Sequence, residues 1–244
     1  MSIKQTENVL LAIFAHPDDE SYRVGGLLTL LAQRGVRVHV VTATRGESGS
    51  TGQPGIRTPG QLSHIREKEL CCACQVLQLQ PPRMLGYPDG HLAESDPEQI
   101  IQQILLIMDE IQPQVLLSFG PDGLSGHSDH IAIGNFSSEA FQRYHKAGVL
   151  YHLAVPTSVA QALGMNQLNP VADSQISLAI DVTSTWDVKM RAICCHATQV
   201  TSSPILSQFE DRQRKFLGVE HFVRALALNP ILDFVPALLK KHIL

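Results

Sequence analysis

Val9-Leu10-Leu11-Ala12-Ile13-Phe14-Ala15-His16-Pro17-Asp18-Asp19-Glu20 runs six apolar residues directly into a histidine, a proline and three acids. The apolar run reads as a strand, Val9–Phe14, and the residues after it as a polar loop at the strand's carboxyl end. The pattern then repeats. A helix over Tyr22–Gln33 ends at Gly35, and the β-branched stretch Val36–Ala43 is a second strand. A loop rich in Gly, Ser and Thr, from Thr44 to Gly60, leads to a helix over Gln61–Leu79 and a short strand near Arg83–Gly86. Pro97 starts a helix that runs to Ile111, and Val115–Phe119 is another apolar strand. Ser128–Tyr144 reads as helix and Val149–Ala154 as strand. The less regular tail has strands at Ile176–Val182 and Glu220–Leu226 and a helix at Ser184–Cys195. Strands alternating with helices predict an α/β fold of Rossmann-like type, a mostly parallel sheet with helices on both faces. Neither a linker nor a repeat divides the chain, so residues 1–244 are expected to form a single domain.

Composition narrows the function. With 44% hydrophobic and 17% charged residues the chain has the make-up of a globular protein. Its net charge of −4 and pI near 6.2 supply no basic field for nucleic acid or an anionic membrane. The apolar runs are far shorter than the roughly 20 residues that span a bilayer. No signal-peptide pattern opens the sequence, and the cytoplasm is the expected compartment. Five cysteines stand in two knots, Cys71-Cys72-Ala73-Cys74 and Cys194-Cys195. The odd number speaks against a disulfide framework, and the lone C-x-x-C lacks a partner to complete a zinc site, so these are read as core or unreactive thiols.

In open α/β sheets ligands bind beyond the carboxyl ends of the strands. Three loops there carry unusual polar density: His16-Pro17-Asp18-Asp19-Glu20, Thr44-Arg45-Gly46-Glu47-Ser48-Gly49, and Gly126-His127-Ser128-Asp129-His130. His16 and Asp19, three apart in a turn, can point the same way, and His127 or His130 completes a set of two histidines and one carboxylate. Three N and O ligands with one open position describe a catalytic zinc site, where the pKa of a bound water falls to about 7. Asp18, beside a ligand, is free to take the water's proton. Iron(II) suits the same donors.

Taken together, A-H-P-D-D-E and G-H-S-D-H resemble the LmbE-like or PIG-L family of zinc-dependent N-acetylglucosaminyl deacetylases, which includes the deacetylases of mycothiol and bacillithiol synthesis. Thr44-Arg45-Gly46-Glu47, Arg66-Glu67-Lys68-Glu69, Leu85-Gly86-Tyr87-Pro88-Asp89-Gly90 and His196-Ala197-Thr198-Gln199 are similar to further family segments, extending the likeness over residues 9–200. The resemblance implies His16, Asp19 and His130 as metal ligands, Asp18 as general base, and a protonated His127 that offsets charge on the reacting oxygen. Asp129 is expected behind His127, orienting an imidazole. Arg66, Asp89, Glu47 and Arg45 match or neighbour positions that touch the sugar, and His196 is a candidate flank of the cleft. Ser128 departs from the proline frequent there. The implied substrate is a small N-acetylated sugar rather than a membrane glycolipid, and several relatives form trimers or hexamers. An S-conjugate amidase would share every ligand, and a metal-retaining binding protein would keep the set without turnover. A nucleotide-binding module is disfavoured, since neither G-x-G-x-x-G nor a P-loop is present.

Overall fold

The computed structural model describes residues 7–52, 55 and 58–244. The first strand, β1 (Val9–Phe14), is buried along its whole length. After it come two short helices, α1 (Asp19–Tyr22) and α2 (Gly25–Ala32), then β2 (Arg37–Thr44), α3 (Pro59–Val76), β3 (Arg83–Tyr87) and α4 (Pro97–Ile111). The second half comprises β4 (Val115–Phe119), α5 (Gly123–Gly126), α6 (Ser128–Arg143), β5 (Val149–Ala154), α7 (Thr157–Leu163), β6 (Leu178–Asp181), α8 (Trp186–Cys195), α9 (Ala197–Val200), α10 (Glu210–Leu217), β7 (Val219–Ala227) and α11 (Val235–Leu238). The strands form one sheet in the order β3-β2-β1-β4-β5-β7-β6. The first five are parallel, and β7 runs antiparallel to both β5 and β6. Helices α2, α3 and α8 pack together, whereas α4 packs on α6. Right-handed crossovers place these two groups on opposite faces of the sheet. No helix among the described residues is long and apolar enough to cross a membrane.

Local chemistry explains the helix starts. Thr58 accepts from Gln61 N–H at the head of α3, and Asp96 accepts from Glu98 N–H at the head of α4, each with a proline in the first turn. In α4, Ile100, Ile104, Met108 and Ile111 recur on one buried stripe.

The expected helix over Tyr22–Gln33 is broken in two. Gly26 lies so close to Val182 that any side chain there would run into it. The new helix start at Gly25 is capped from far along the chain. Glu220 accepts from Gly26 N–H (2.9 Å) and Leu27 N–H (2.8 Å), and the fully buried Lys189 Nζ sits 2.7 Å from the same carboxylate. A helix N-terminus next to the first strand is where a nucleotide phosphate would sit, and here a carboxylate of the chain fills it. The cysteine reading also needs correction. Cys72 of α3 is joined to Cys195 of α8, Cys71 and Cys194 are exposed, and only Cys74 is a core thiol. The reason is tertiary: α3 and α8 lie side by side, which no spacing in the sequence announces.

The loop expected over Thr44–Gly60 falls partly on residues 53, 54, 56 and 57, outside the described residues. The order of strand addition reverses between the parallel strands β1 and β4: successive strands go outward one way from β1 and the other way from β4. The crevice beyond the carboxyl ends of these two strands is where ligands bind in such sheets.

Candidate metal centre and active-site cavity

As β1 ends, the chain turns sharply. His16 N–H donates to Asp19 Oδ2 (2.9 Å), and Asp18 is forced to φ +115°, a left-handed value that L-residues avoid. Such a conformation costs on the order of 1–3 kcal/mol and persists only where surroundings impose it. Here Glu20 imposes it, accepting from Asp18 N–H at 3.0 Å. Glu20 is fully buried and is held in turn by Ser21 Oγ and by His196 Nε2 at 2.7 Å. Burial disfavours both charges of that pair, but their mutual bond keeps the His196 pKa raised and the Glu20 pKa lowered.

His130 stands on the first turn of α6, stacked on Phe119 with ring centroids 3.9 Å apart. Its Nε2 lies 3.2 Å from His16 Nδ1 and 3.4 Å from Asp19 Oδ1, and one donor atom from each of the three residues falls within 4.8 Å of the others. The outer nitrogens fix the tautomers. His130 Nδ1 donates to Gly123 O (3.1 Å), and His16 Nε2 faces Asp89 Oδ1 (3.0 Å) and Asp129 Oδ2 (3.3 Å). With those protons placed outward, His16 Nδ1 and His130 Nε2 turn two lone pairs toward each other beside a carboxylate. That juxtaposition needs a cation between them, so the donor set fits a divalent metal. The electrostatics of the pair agree. Burial lowers the His16 pKa, but hydrogen bonds to Asp129 and Asp89 and the charge of Asp19 outweigh it and push it up to about 10. Burial and the charged His16 push His130 down to about 4. One positive charge is wanted there, and His16 carries it when no ion does.

A polar cavity of about 320 Å³ opens over this set. Asp18 reaches it, 3.3 Å from the Arg66 guanidinium. Burial raises the Asp18 carboxyl and Arg66 pulls it back, leaving it at about 6, a useful range for a group that takes and returns a proton near neutrality. Arg66 is itself buried and donates to Gly46 O (2.8 Å) and Pro17 O. Gly46, at φ +70°, has no room for a side chain because the guanidinium fills that space. Arg66 therefore ties two loops together beneath Asp18, instead of pairing with a neighbouring helix acid.

Some expectations change. Asp129 is buried, but its carboxylate serves His16 rather than His127 and is anchored by Gly90 N–H (2.7 Å) and Leu92 N–H (3.1 Å). The first turn of α6 aims it at the end of β1. His127 Nδ1 instead accepts from Asp129 N–H (3.2 Å), which leaves a neutral ring with its Nε2–H free. Burial and the nearby His16 and His130 also lower its pKa, which favours a neutral donor ring over the expected imidazolium. Asp89 lines the cavity yet spends one oxygen on His16 and the other on Ser48 N–H (2.8 Å). Glu47 accepts from Asp89 N–H at 3.0 Å and stands behind that wall. Arg45 is not brought to the cavity and pairs with Glu67 on the surface of α3. His196 does not flank the cleft but lies wholly buried beneath it. Gln199, Ser48, Gly49 and Gly90 complete the wall. They stand in or next to segments that the sequence already marks, but without an ionisable group nothing singled them out.

The profile of the family described as PIG-L, GlcNAc-PI de-N-acetylase, matches residues 11–141, more than half the chain. A probable N-acetyl-α-D-glucosaminyl L-malate deacetylase 2 of Bacillus subtilis is 31% identical, covering 83% of this chain and 87% of its own. A 1D-myo-inositol 2-acetamido-2-deoxy-α-D-glucopyranoside deacetylase of Mycolicibacterium smegmatis is 29% identical over 88% of this chain and 89% of its own. Among solved structures, the N,N'-diacetylchitobiose deacetylase of Pyrococcus horikoshii superimposes with a TM-score of 0.67 at 23% identity, covering 88% of this chain and 82% of that one. Its likeness establishes the same fold. The chain thus belongs to the PIG-L family, and its named relatives are hydrolases that deacetylate N-acetylglucosaminyl compounds.

Proposed function

We propose that the chain, as one domain over residues 1–244, hydrolyses the N-acetyl amide of a small N-acetylated amino sugar, releasing acetate and the free amine. The observation that carries this reading is the pairing of two inward lone pairs, His16 Nδ1 and His130 Nε2, with Asp19 below and Asp18 beside them at the floor of one polar cavity. His16, Asp19 and His130 would hold zinc, and iron(II) suits the same donors. When bound, the metal supplies Lewis acidity toward water and the amide carbonyl. Asp18 accepts the proton of the attacking water and returns it to the departing nitrogen, its turn held by Glu20 and its carboxylate by Arg66. His127 Nε2–H donates toward the oxygen on which charge develops, the contribution that is usually largest in acyl transfer. Arg66 and Asp89 line the same cavity and stand where the sugar would lie.

Acetate release from a panel of N-acetylglucosaminides, with chelator and then zinc added back, tests the proposal. Chelator-sensitive release that zinc restores is expected. Protein carrying one metal per chain but releasing no acetate from any of the panel would overturn it.

A further inference from the structure

The polar cavity has a neighbour. A second chamber of about 280 Å³ shares Asp18, Asp19, His130 and Gln199 with it, so Asp18 and two of the candidate ligands, Asp19 and His130, form the partition between the two. Phe119, Leu124 and Leu168 give the second chamber an apolar wall, and one feature is out of place there: Arg23. Its backbone lies in the break between α1 and α2, and its side chain is partly withdrawn from water.

Several surface arginines hold carboxylates: Arg45 with Glu67, Arg83 with Glu110, Arg143 with Glu98, Arg214 with Glu210. Arg23 has no carboxylate within 4 Å among the described residues. Its Nη2 donates to Ala154 O at 3.3 Å, its plane lies 4.3 Å from the Phe216 ring centre, and its Nε is buried with no hydrogen-bond partner. The stacking and the single carbonyl steady the guanidinium without supplying an anion. Glu220, the acid on that side, is consumed by Lys189 and the α2 N-terminus. The Tyr22 hydroxyl, also on the chamber wall, is buried and completes no hydrogen bond of good geometry, and Ser125, Ser202 and Ser203 add hydroxyls around it. A guanidinium has five donors suited to the two oxygens of a carboxylate or phosphate, and withdrawing it from water unpaired is unfavourable. A guanidinium met by one carbonyl and by no anion describes a site awaiting an anion.

We propose that this chamber is a subsite for an anionic oxygen group, carboxylate or phosphate, carried by the aglycone of the substrate, with Arg23 as the residue that selects it. The inference rests on the deacetylase reading and narrows its substrate to glycosides with an acidic aglycone, as against a neutral polyol. Chemistry gives the reach. In a 2-acetamido sugar the glycosidic carbon is the one next to the carbon bearing the amide. An amide held at the partition therefore places the glycosidic oxygen about three bonds from the amide nitrogen, and the aglycone beyond it can enter the adjoining chamber.

The test compares kcat/KM of the metal-loaded enzyme on matched N-acetylglucosaminides: one with a carboxylate on the aglycone, its methyl ester, and one with a phosphomonoester in its place. Wild type should favour an anionic substrate over the ester by about 10- to 100-fold, mostly through KM, as expected for hydrogen bonds to a charged group. In R23Q that ratio should fall close to one, and R23K should recover part of it. The ratio is read within one preparation, so partial loss of folded protein does not mimic the result. A larger preference for the phosphomonoester than for the carboxylate would keep the anion site and assign it to phosphate. A wild-type ratio near one, or an R23Q variant that keeps the wild-type ratio, would overturn the subsite while leaving the deacetylase reading intact. No release from any of these glycosides, nor from N-acetylglucosamine itself, would overturn both.

Discussion

The wall of the cavity and the layer beneath it come from different parts of the chain. The wall is made by strand ends: His16, Asp18 and Asp19 follow β1, and His127 and His130 follow β4. The layer beneath is made by partners such as Asp129 on His16, Glu20 with His196 under Asp18, and Glu69 accepting from Thr198 N–H (2.8 Å) and Oγ1 (2.7 Å). Wall residues point into a space that water can enter, whereas Asp129, Glu20 and His196 are closed off from it. Groups at strand ends are placed by the sheet, but their protonation and aim are set by what stands behind them. In such sites the wall decides which reaction is available and the layer beneath decides how firmly its parts are held.

That division can be broken by substitution. His130→Ala removes one of the proposed ligands from the wall, and both metal content, read by elemental analysis, and turnover should be lost. Asp18→Asn should instead keep one metal per chain while kcat falls about 10²- to 10⁴-fold, the usual contribution of a general base; near-normal rates would remove Asp18 from that role. His127→Ala should lower kcat by about 10²- to 10³-fold, as for loss of one donor to a developing oxyanion. Loss of the metal in that variant would move His127 into the ligand set. Beneath the wall, Asp129→Ala should weaken metal affinity by about 10- to 100-fold, measured by chelator competition, with kcat of the fully loaded enzyme reduced far less. If the loaded variant lost turnover as severely as Asp18→Asn, the two layers would not be separable. The smallest effect is expected at Gln199, which bonds Ser50 O at 2.8 Å and lines the wall. Gln199→Ala should raise KM by about 2- to 10-fold, the worth of one neutral hydrogen bond.

How much of this was legible varied with the range of the interaction. The limits of Val9–Phe14, Val115–Phe119 and Val149–Ala154 match the strands found, because unbroken apolar runs are a local signal. Pro97 after Asp96 marked the start of α4 for the same reason. The break in Tyr22–Gln33 was not legible, since its cause is Val182 pressing on Gly26 and Glu220 capping the new start nearly two hundred residues away. Asp129 was expected behind His127, but its carboxylate meets the His16 imidazole. Its neighbour in sequence is His127, whereas its neighbour in space is His16. Arg45 and Arg66 show the same divergence: similar side chains near similar loops, one turned out to Glu67 and one buried under Asp18.

By itself the sequence determined the class of fold and the inventory of the site, because both arise from patterns a few residues long: apolar runs that must be covered, and histidines and carboxylates placed where such strands end. Tertiary structure decided the tautomers of His16 and His130, the neutral donor state of His127, the tie between Cys72 and Cys195, and the unpaired charge of Arg23. Each of those depends on which atoms meet across long separations in the chain, and whether a buried proton or charge finds a partner is settled only when the elements pack.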